Sequence, residues 1–370
     1  MNILLLEPFY SGSHRSWASA FQEYSAHNVE ICSLPGRYWK WRMHGGAVSL
    51  ADRFNEMEAL PDLILATDML DLGTFLALSR SKSSQIPCAI YFHENQITYP
   101  WSPADKDVQL QRNNQYGFIN YTSALAADQV FFNSHYHLTS FLENLPSFLK
   151  QFPDHQNLNS IDAIAKKSKV LHLGVKLFQF DQYQLESINE SPILLWNHRW
   201  EYDKNPDDFF ETLFQFQAEN IDFQLVVLGE NYRKRPPIFD KARIILAERI
   251  LHFGYTDQFA DYAKWLWRAD ILPVSSQQDF FGGSVVEALY CNCVPILPNR
   301  LAYPEHLPKN KQKDYFYDTK ETFYQCLKHV LLLNNEERKA LYCREDIMHY
   351  DWNHQIKKYD QIFADMVPNC

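Results

Sequence analysis

Residues 279–287 read Asp279-Phe280-Phe281-Gly282-Gly283-Ser284-Val285-Val286-Glu287, and the apolar run Ile271-Leu272-Pro273-Val274 comes shortly before them. This order predicts a buried strand, a turn on two glycines and then a helix. The first turn of a helix leaves N–H groups without acceptors and carries the positive end of the helix dipole, so it can hold a diphosphate. The two carboxylates around the turn can accept hydrogen bonds from sugar or ribose hydroxyls. The segment indicates a sugar-nucleotide site, although a glycine pair at this place is also common as a purely structural turn.

Composition limits the class of protein. The chain has 370 residues, too many for one ordinary core, so two domains are expected. With 46% hydrophobic and 15% aromatic residues, it should be packed and globular. A formal net charge of -10 argues against broad, nonspecific nucleic-acid binding but leaves room for a local basic patch.

The cysteines and the N-terminal segment bear on location. The seven cysteines are scattered and form no C-x-x-C pair, which favours reduced thiols over disulfides or a zinc site. The first residues lack a basic region and are interpreted as a buried strand rather than a signal peptide. No stretch is apolar enough to span a bilayer, so we expect a cytoplasmic protein with no membrane partner.

Strands and helices alternate along both halves of the chain, which predicts an α/β fold with two Rossmann-like, doubly wound parallel sheets. The expected strands of the first half are residues 3–6, 29–33, 63–67, 89–92, 129–132 and 170–173. Those of the second half are residues 193–196, 223–228, 251–255, 271–274 and 294–297. We expect domains at residues 1–187 and 188–348, and a helix over 349–370 that packs back on the first domain.

Polar side chains follow several of these strands, where ligands bind in open α/β sheets. Gly12-Ser13-His14 follows the first strand, and His93-Glu94-Asn95-Gln96 follows the fourth. Arg199 and Lys204 follow the first strand of the second half and could stabilise a diphosphate leaving group. Alternatively, Arg199 and Lys204 could form ordinary ion pairs with Asp207 and Asp208. His93 could likewise be a buried, hydrogen-bonded histidine with no role in a site.

Other phosphate and metal motifs do not fit. The chain has neither G-x-G-x-x-G after the first strand nor G-x-x-x-x-G-K-[ST], which weakens dehydrogenase and kinase interpretations. Asp105-Lys106-Asp107 has the spacing of a metal-binding carboxylate pair, but its polar surroundings favour a solvated loop. We expect no metal ion and no cofactor.

These motifs resemble a known family. Asp279 and Glu287 match the E-x7-E motif of the retaining glycosyltransferases of family 4, which have the GT-B fold, and Arg199 and Lys204 match their diphosphate pair. The first half resembles the tRNA-queuosine mannosyltransferases. The segments that carry this resemblance are Glu7-Pro8-Phe9-Tyr10-Ser11-Gly12-Ser13-His14, Leu34-Pro35-Gly36-Arg37-Tyr38-Trp39-Lys40-Trp41-Arg42, Phe92-His93-Glu94-Asn95-Gln96-Ile97-Thr98-Tyr99-Pro100, Trp196-Asn197-His198-Arg199-Trp200-Glu201-Tyr202-Asp203-Lys204-Asn205-Pro206 and Tyr303-Pro304-Glu305.

The resemblance implies transfer of mannose from GDP-mannose, with retention, to queuosine in a tRNA anticodon, in a cleft between two domains. It also implies that no protein nucleophile is needed. The catalytic residues would be His93, Arg199, Lys204 and Asp279. The donor-binding residues would be Gly12, Ser13, Gly229, Gly254, Gly282, Gly283, Ser284 and Glu287. The acceptor-binding and tRNA-binding residues would be His14, Arg37, Lys40, Arg42, Glu94 and Asn95.

Two features leave alternatives open. The family usually has Glu where this chain has the shorter Asp279, which puts the donor sugar in question and allows a non-catalytic homologue. Near the N-terminus, Arg37, Lys40, Arg42 and His44 alternate with aromatic residues, a mixture suited to phosphates and unpaired bases but also to a core edge with snorkelling cations. A different acceptor, such as a lipid, a small molecule or a glycan, and a sugar-nucleotide epimerase are the remaining alternatives.

Overall fold

A computed structural model describes residues 1–102, 105–110, 112–185, 189–230 and 235–367, and it divides the chain into two units. The first unit consists of Met1–Gly174 together with Trp352–Cys370, and the second consists of Val175–Asp351. The chain therefore completes the second unit before it returns to the first. Among the described residues, no helix has the length and apolar character needed to cross a membrane.

The first unit contains a parallel sheet with the strand order β2-β1-β3-β4-β5-β6. Its strands are β1 (Asn2–Tyr10), β2 (Asn28–Pro35), β3 (Leu63–Thr67), β4 (Cys88–Phe92), β5 (Gln129–Phe132) and β6 (Ser168–Val170). Every residue of β3 and β4 is buried, because helices cover both faces of the sheet. Successive side chains of β1 enter opposite cores, with Leu4 and Leu6 in one and Ile3 and Leu5 in the other.

The helices of the first unit supply the remainder of these two cores. They are α1 (Gly12–Tyr24), α2 (Trp39–Glu56), α3 (Leu72–Leu78), α4 (Arg80–Ser83), α5 (Lys106–Gln109), α6 (Asn114–Ala126), α7 (His135–Leu149), α8 (Ser160–Lys167) and, at the other end of the chain, α16 (Trp352–Ala364). Helix α16 packs beside α1, where Phe363 and Tyr359 join Trp17 and Phe21 in one core. Trp17 Nε1 also donates to Tyr359 Oη at 3.2 Å.

The second unit repeats the same architecture with the strand order β12-β11-β10-β7-β8-β9. Its parallel strands are β7 (Ile193–Trp196), β8 (Gln224–Val227), β9 (Ile250–Phe253), β10 (Ile271–Pro273), β11 (Val294–Pro298) and β12 (Phe316–Tyr317). Its helices are α9 (Pro206–Ala218), α10 (Ile238–Ile245), α11 (Phe259–Arg268), α12 (Gly283–Tyr290), α13 (Lys320–Leu332), α14 (Asn335–Lys339) and α15 (Arg344–Ile347). The predicted fold class, α/β with two doubly wound parallel sheets, is confirmed.

The division into units falls elsewhere than the sequence pattern places it. The boundary expected between residues 187 and 188 lies outside the described residues, whereas the second unit begins at Val175. The segment after Val175 joins the second unit because Phe180 packs edge-on against Phe259 and Asp181 accepts a hydrogen bond from Tyr290 Oη. At the other end, a 3-10 turn over Met348–Tyr350 precedes the last helix, which begins at Trp352 rather than at residue 349.

A close contact between Gly174 and Trp352 fixes the return of the chain. A Cβ on Gly174 would lie 2.4 Å from Trp352 Cδ2, and Trp352 is almost fully buried. We expect Gly174→Ala to lower the free energy of unfolding by about 1–3 kcal/mol, because the indole must move out of a packed position. Urea denaturation followed by tryptophan fluorescence measures this change.

The matched control is Gly73→Ala in the first turn of α3, where the nearest atom to an added Cβ is Asp71 Oδ1 at 3.6 Å. This substitution should leave the stability unchanged or increase it slightly. Equal effects of the two substitutions would contradict the proposed role of the Gly174–Trp352 contact.

Candidate active site

The glycine turn of the second unit has the predicted form. Strand β10 ends at Pro273, and α12 begins at Gly283 after Gly282, whose φ is 82°. A side chain on Gly282 would be strained, and its Cβ would come within 3.0 Å of the Tyr303 ring. Helix α12 begins after the carboxyl end of β10, and its first turn contains Gly283 and Ser284. The backbone N–H groups of this turn can bind an anion.

Lys204 places a buried ammonium group beside this turn. It lies in the 3-10 turn after β7, and its Nζ is 3.1 Å from Asp279 Oδ2 and 3.2 Å from Asp203 Oδ2. The Nζ also donates to the carbonyl oxygen of Gln278 at 2.7 Å. Burial would lower the pKa of Lys204, but the carboxylates of Asp279 and Asp203 outweigh it and raise the pKa. The ammonium group therefore remains charged at neutral pH.

Asp279 is held by a tyrosine as well as by Lys204. Tyr303 Oη donates to Asp279 Oδ2 at 2.7 Å, and the same ring packs beneath Gly282. Burial would raise the pKa of Asp279, but Lys204 and the Tyr303 hydrogen bond keep it below its usual value. Tyr303 therefore supports both the carboxylate and the glycine turn.

His198 and Gly229 join the loops after β7 and β8. His198 is buried, and its Nδ1 lies 3.2 Å from Ser284 Oγ, while Asn197 Nδ2 donates to the Ser284 carbonyl oxygen at 2.7 Å. Burial and the Lys204 charge lower the pKa of His198 to about 4, so its ring is neutral at pH 7. Gly229 has a φ of 106°, and a Cβ there would lie 1.9 Å from the His198 carbonyl oxygen. Only glycine fits this position without displacing the loop.

The other predicted residues of the second unit surround these groups. Glu287 is half-buried and accepts a hydrogen bond from Tyr262 Oη at 2.7 Å, and burial raises its pKa to about 7. Arg199 is exposed, with its Nη1 3.3 Å from Glu201 Oε2. Gly254 has a φ of 149° at the end of β9.

Arg199 and Lys204 pair with other carboxylates than Asp207 and Asp208, the partners that the sequence suggested as an alternative. Lys204 pairs with Asp203 and Asp279, and Arg199 pairs with Glu201. Asp208 instead pairs with Lys320, at 2.9 Å. The two cations therefore belong to the strand-end loops rather than to the start of α9.

In the first unit, the turn after β1 carries a buried ion pair. Gly12, with a φ of 49°, begins α1 and is followed by Ser13. His14 Nδ1 lies 3.0 Å from Glu7 Oε2, and both side chains are buried. Burial alone would lower the pKa of His14, but the charge and hydrogen bond of Glu7 raise it to about 9.

His93 lies directly after β4 and stacks near this pair. Its ring centroid is 4.3 Å from that of His14, and its edge faces Trp17. The backbone N–H of His93 donates to Asp68 Oδ1 at 2.8 Å, whereas its buried Nε2 has no hydrogen-bond partner among the described residues. Burial and the neighbouring His14 keep the pKa of His93 well below its usual value, so the ring is neutral. Because this Nε2 has no partner among the described residues, His93 is not the fully hydrogen-bonded histidine of the alternative.

The two residues after His93 differ in role. Asn95 is fully buried, and its Oδ1 accepts from the backbone N–H groups of Ile97 and Thr98. Glu94 is half-buried and accepts a hydrogen bond from Gln96 Nε2 at 2.9 Å. Asn95 therefore shapes the loop, and Glu94 is the more accessible of the two.

The aromatic and basic segment begins next to the Gly12 turn. A Cβ on Gly36 would lie 2.1 Å from Ser11 Oγ, so the two loops are in direct contact. Arg37 is exposed, and Tyr38 and Trp41 are 77% and 63% exposed, which makes them accessible to bases. Arg42 donates through Nε to the Pro35 carbonyl oxygen at 3.1 Å.

Lys40 does not join this exposed set. Its Nζ pairs with Asp105 at 2.6 Å and with Asp107, so the solvated loop expected for Asp105-Lys106-Asp107 is instead a folded acidic segment. Electrostatic pairing holds these carboxylates near Lys40, a contact that local sequence cannot reveal because the partners are 65 and 67 residues apart.

One cluster in the first unit has the composition of a metal site. Ligand atoms of Glu7, His14 and His93 all lie within 4.8 Å of one another, and zinc accepts such ligands. The hydrogen bond between Glu7 and His14 already satisfies two of these groups.

Sequence reasoning did not single out several residues of these clusters. His198, Tyr303 and Tyr262 contact Ser284, Asp279 and Glu287, and Glu7 and Asp68 contact His14 and the His93 backbone. His198 lies directly after a buried strand and beside Arg199, and this position was the available signal. Tyr303 was noted only as part of a segment that resembles the family, and Tyr262 gave no signal. The hydroxyl groups of both residues reach the site from other segments.

Comparison with known proteins agrees with this architecture. Residues 2–175 match the family described as tRNA-queuosine alpha-mannosyltransferase N-terminal, and residues 178–344 match glycosyl transferases group 1. A tRNA-queuosine alpha-mannosyltransferase of Drosophila melanogaster is 36% identical over 317 residues, which cover 83% of this chain and 82% of the relative.

Solved structures agree in fold. A glycosyltransferase from Rickettsia africae has a TM-score of 0.70 and 15% identity, covering 100% of this chain and 99% of its own. Sucrose-phosphate synthase from Thermosynechococcus elongatus has a TM-score of 0.69 and 14% identity, covering 99% of both chains.

Two parallel sheets with these loops at their strand ends define a glycosyltransferase of the GT-B fold. The chain belongs to the tRNA-queuosine alpha-mannosyltransferase family.

The hydrogen bond from Tyr303 to Asp279 can be tested directly. We expect Tyr303→Phe to lower kcat about tenfold, because the carboxylate loses one of its two anchors. The acid limb of the pH–rate profile should move to higher pH, because this hydrogen bond lowers the pKa of Asp279. Initial rates measured across the pH range give both quantities.

Tyr324→Phe is the control, since Tyr324 Oη also donates to a carboxylate, Glu219, at 2.6 Å. Glu219 lies at the end of α9, and this substitution should change neither kcat nor the pH profile. If Tyr303→Phe behaved like Tyr324→Phe, the positioning role of Tyr303 would be wrong.

Proposed function

We propose that this protein transfers mannose from GDP-mannose, with retention of configuration, to queuosine in a tRNA anticodon. The observation that carries the proposal is the buried Lys204 ammonium beside Asp279 and the N-terminus of α12, because it supplies a fixed positive charge where a diphosphate can bind. Family membership supports the choice of sugar and acceptor. We place the reaction in the cytoplasm, in keeping with a tRNA acceptor.

The second unit binds the donor in this proposal. Lys204 and Arg199 hold the diphosphate, together with N–H groups at Gly283 and Ser284. Arg199 is exposed and can reach a phosphate by exchanging its contact with Glu201. Glu287 accepts hydrogen bonds from the ribose hydroxyls. Gly229 and Gly254 keep the loops after β8 and β9 free of side chains.

Asp279 has the shorter side chain, and its contacts explain how it can still serve. Lys204 and Tyr303 both contact Oδ2, so Oδ1 is the oxygen that we assign to a hydroxyl group of the donor sugar. A glutamate at this position would reach one methylene farther. The contacts of Asp279 with Lys204 and Tyr303 hold its carboxylate in place, which favours a working site over a degenerate one.

The chemical step requires no protein nucleophile. The bond between the sugar C1 and the phosphate oxygen breaks, and the acceptor oxygen forms its bond to C1 on the same face. The acceptor proton passes to the leaving phosphate oxygen. Lys204 and Arg199 stabilise the negative charge that develops on the diphosphate, so we propose that transfer requires no metal ion.

The first unit supplies the remaining residues. We assign Gly12, Ser13 and His93 to the donor sugar, since the neutral His93 ring offers an unpaired Nε2 for a hydroxyl group. We assign His14 and Glu94 to the acceptor nucleoside, and Asn95 to the shape of the loop that carries Glu94. Arg37 and Arg42 are assigned to tRNA phosphates, and the exposed rings of Tyr38 and Trp41 to unpaired bases.

Nucleoside mass spectrometry tests the function. Incubation with queuosine-containing tRNA and GDP-mannose should yield a nucleoside heavier by one hexose, and tRNA with guanosine in place of queuosine should yield none. Arg199→Ala should reduce the yield at least about a hundredfold, because a cation at the leaving group is lost. Arg243→Ala, which changes an exposed arginine of α10, should retain full activity.

Other outcomes point to different functions. Hexose transfer to another acceptor would replace queuosine in the proposal and keep the enzyme class. Donor binding without any transfer would indicate a non-catalytic homologue.

The titration of Glu287 predicts a pH dependence of donor binding. Its carboxyl group has a pKa of about 7, raised by burial, and only the carboxylate accepts hydrogen bonds from both ribose hydroxyls. GDP-mannose should therefore bind about tenfold more tightly at pH 8 than at pH 6. Isothermal titration calorimetry across this range measures the effect.

Glu287→Gln should bind the donor with little dependence on pH. In the absence of donor, the free energy of unfolding should depend on pH in the opposite direction to donor affinity. Because the pKa of Glu287 is raised in the folded protein, its carboxyl group stabilises the fold at low pH, and this stabilisation is lost as the pH rises toward 7. A wild-type affinity that stays constant from pH 6 to pH 8 would contradict the assignment of Glu287 to the ribose.

A further inference from the structure

Lys40 occupies an aromatic cage in the first unit. Its Nζ lies 5.6 Å from the ring centroid of Trp39, 5.3 Å from that of Trp101 and 5.8 Å from that of Tyr116. The carboxylates of Asp105 and Asp107 complete the enclosure. We call these five residues, Trp39, Trp101, Asp105, Asp107 and Tyr116, the ammonium cage. Three aromatic faces and two carboxylates around one point form a binding site for an organic ammonium group.

The carboxylates of the cage carry more negative charge than the ammonium group of Lys40 neutralises. Two carboxylates face a single ammonium group, so these three groups sum to a net charge of -1. The hydrogen bond from Lys40 lowers the pKa of Asp107, so that carboxylate stays ionised. Tyr116 Oη also donates to Asp107 Oδ2 at 3.0 Å, which fixes the carboxylate when the cation moves. About a third of the Lys40 side chain, 31%, is exposed, so the cage is open to solvent.

Helix α6 and Phe9 connect the ammonium cage to the loops that carry His93 and His14. Tyr116 and Asn120 lie one turn apart on α6, and Asn120 accepts from the Gln96 N–H and donates to the Asp68 carbonyl oxygen. Phe9 packs against the same small core as Tyr116, and its ring meets that of His14 edge-on, with centroids 6.1 Å apart. The cage is therefore anchored next to the loops that carry His14 and His93.

We propose that the ammonium cage binds the secondary ammonium group of the queuosine side chain, and that Lys40 leaves the cage for a tRNA phosphate when the acceptor binds. This inference rests on the proposed function. Queuosine carries its cyclopentenediol on a secondary amine, which takes up a proton near neutral pH. Guanosine lacks that amine, so the cage distinguishes modified from unmodified tRNA.

The exchange is balanced in charge. One ammonium group replaces another between the same carboxylates, so the electrostatic energy of the cage is nearly conserved. The released Lys40 gains a phosphate, and it lies in the first turn of α2, beside the exposed Arg37 and Trp41. Lys40 is then a tRNA contact only in the bound complex, which reconciles its predicted role with its position in this structure.

Binding of two tRNAs tests the exchange. The ratio of the Kd for guanosine-containing tRNA to that for queuosine-containing tRNA is measured for the wild-type protein and for Asp107→Asn, Trp101→Ala and Lys40→Met. We expect Asp107→Asn and Trp101→Ala to reduce this ratio at least about fivefold, with little change in the binding of the guanosine tRNA. Lys40→Met should change the Kd of the guanosine-containing tRNA little, because Lys40 stays in the cage when no other ammonium group replaces it. It should preserve the ratio, because the loss of a phosphate contact and the removal of a competitor for the cage act in opposite directions on the queuosine-containing tRNA.

Matched controls are Asp52→Asn and Lys106→Met, both exposed residues of the first unit, which should change nothing. Circular dichroism confirms that each variant is folded. The proposal would be overturned if Asp107→Asn and Trp101→Ala weakened the binding of both tRNAs equally. It would also be overturned if the Lys40→Met protein bound the two tRNAs with the same Kd.

Mannosylation by the wild-type protein is measured in parallel. No transfer to queuosine-containing tRNA would mean that the proposed function itself has failed. Normal transfer together with an unchanged ratio in the cage variants would reject only the ammonium cage.

Discussion

A buried ammonium group constrains the second unit more than any other single interaction. Burying the charge of Lys204 would be costly without nearby counter-charges, and Asp203, Asp279 and the Gln278 carbonyl oxygen provide them. Asp203 lies on the loop after β7, whereas Gln278 and Asp279 lie on the loop after β10. These two strands are neighbours in the sheet although far apart in sequence. The same contacts that neutralise the ammonium therefore bring the cation and the glycine turn together.

The surrounding residues follow from this arrangement. Because Asp279 is committed to Lys204, a second donor is needed to fix its orientation, and Tyr303 supplies it. Because the Tyr303 ring lies beneath the turn, Gly282 has no room for a side chain. Because the loop after β8 lies against the His198 carbonyl oxygen, Gly229 must also be glycine. The contact between Lys204 and Asp279 thus accounts for Tyr303 and Gly282, whereas Gly229 follows from the separate contact with the His198 carbonyl oxygen.

The sequence predicted the parts of the site that depend on local order. A strand, a glycine pair and a helix are recognisable in residues 271–290, and parallel strands bring their carboxyl ends to one edge of a sheet. It predicted neither helix α2, whose Gly45 and Gly46 are poor helix formers, nor the pairing of Lys40 with Asp105 and Asp107. Contacts between distant segments depend on packing, which residue spacing does not encode. The unit boundary at Gly174 was missed for the same reason, because the contacts of Phe180 and Asp181 decide it.

The two histidines of the first unit show how burial divides their roles. Glu7 faces His14 and keeps it charged, with a pKa of about 9, and the two charges cancel. Burial raises the pKa of Asp68, whose Oδ1 accepts the His93 backbone N–H. Burial, together with the charged His14 ring whose centroid lies 4.3 Å away, lowers the pKa of His93 and keeps its ring neutral. A neutral ring with a buried, unpaired Nε2 suits a hydroxyl group better than a phosphate, because it carries no charge to attract an anion. Burial therefore separates the two histidines: His14 keeps a proton that the Glu7 carboxylate balances, whereas the His93 ring stays neutral.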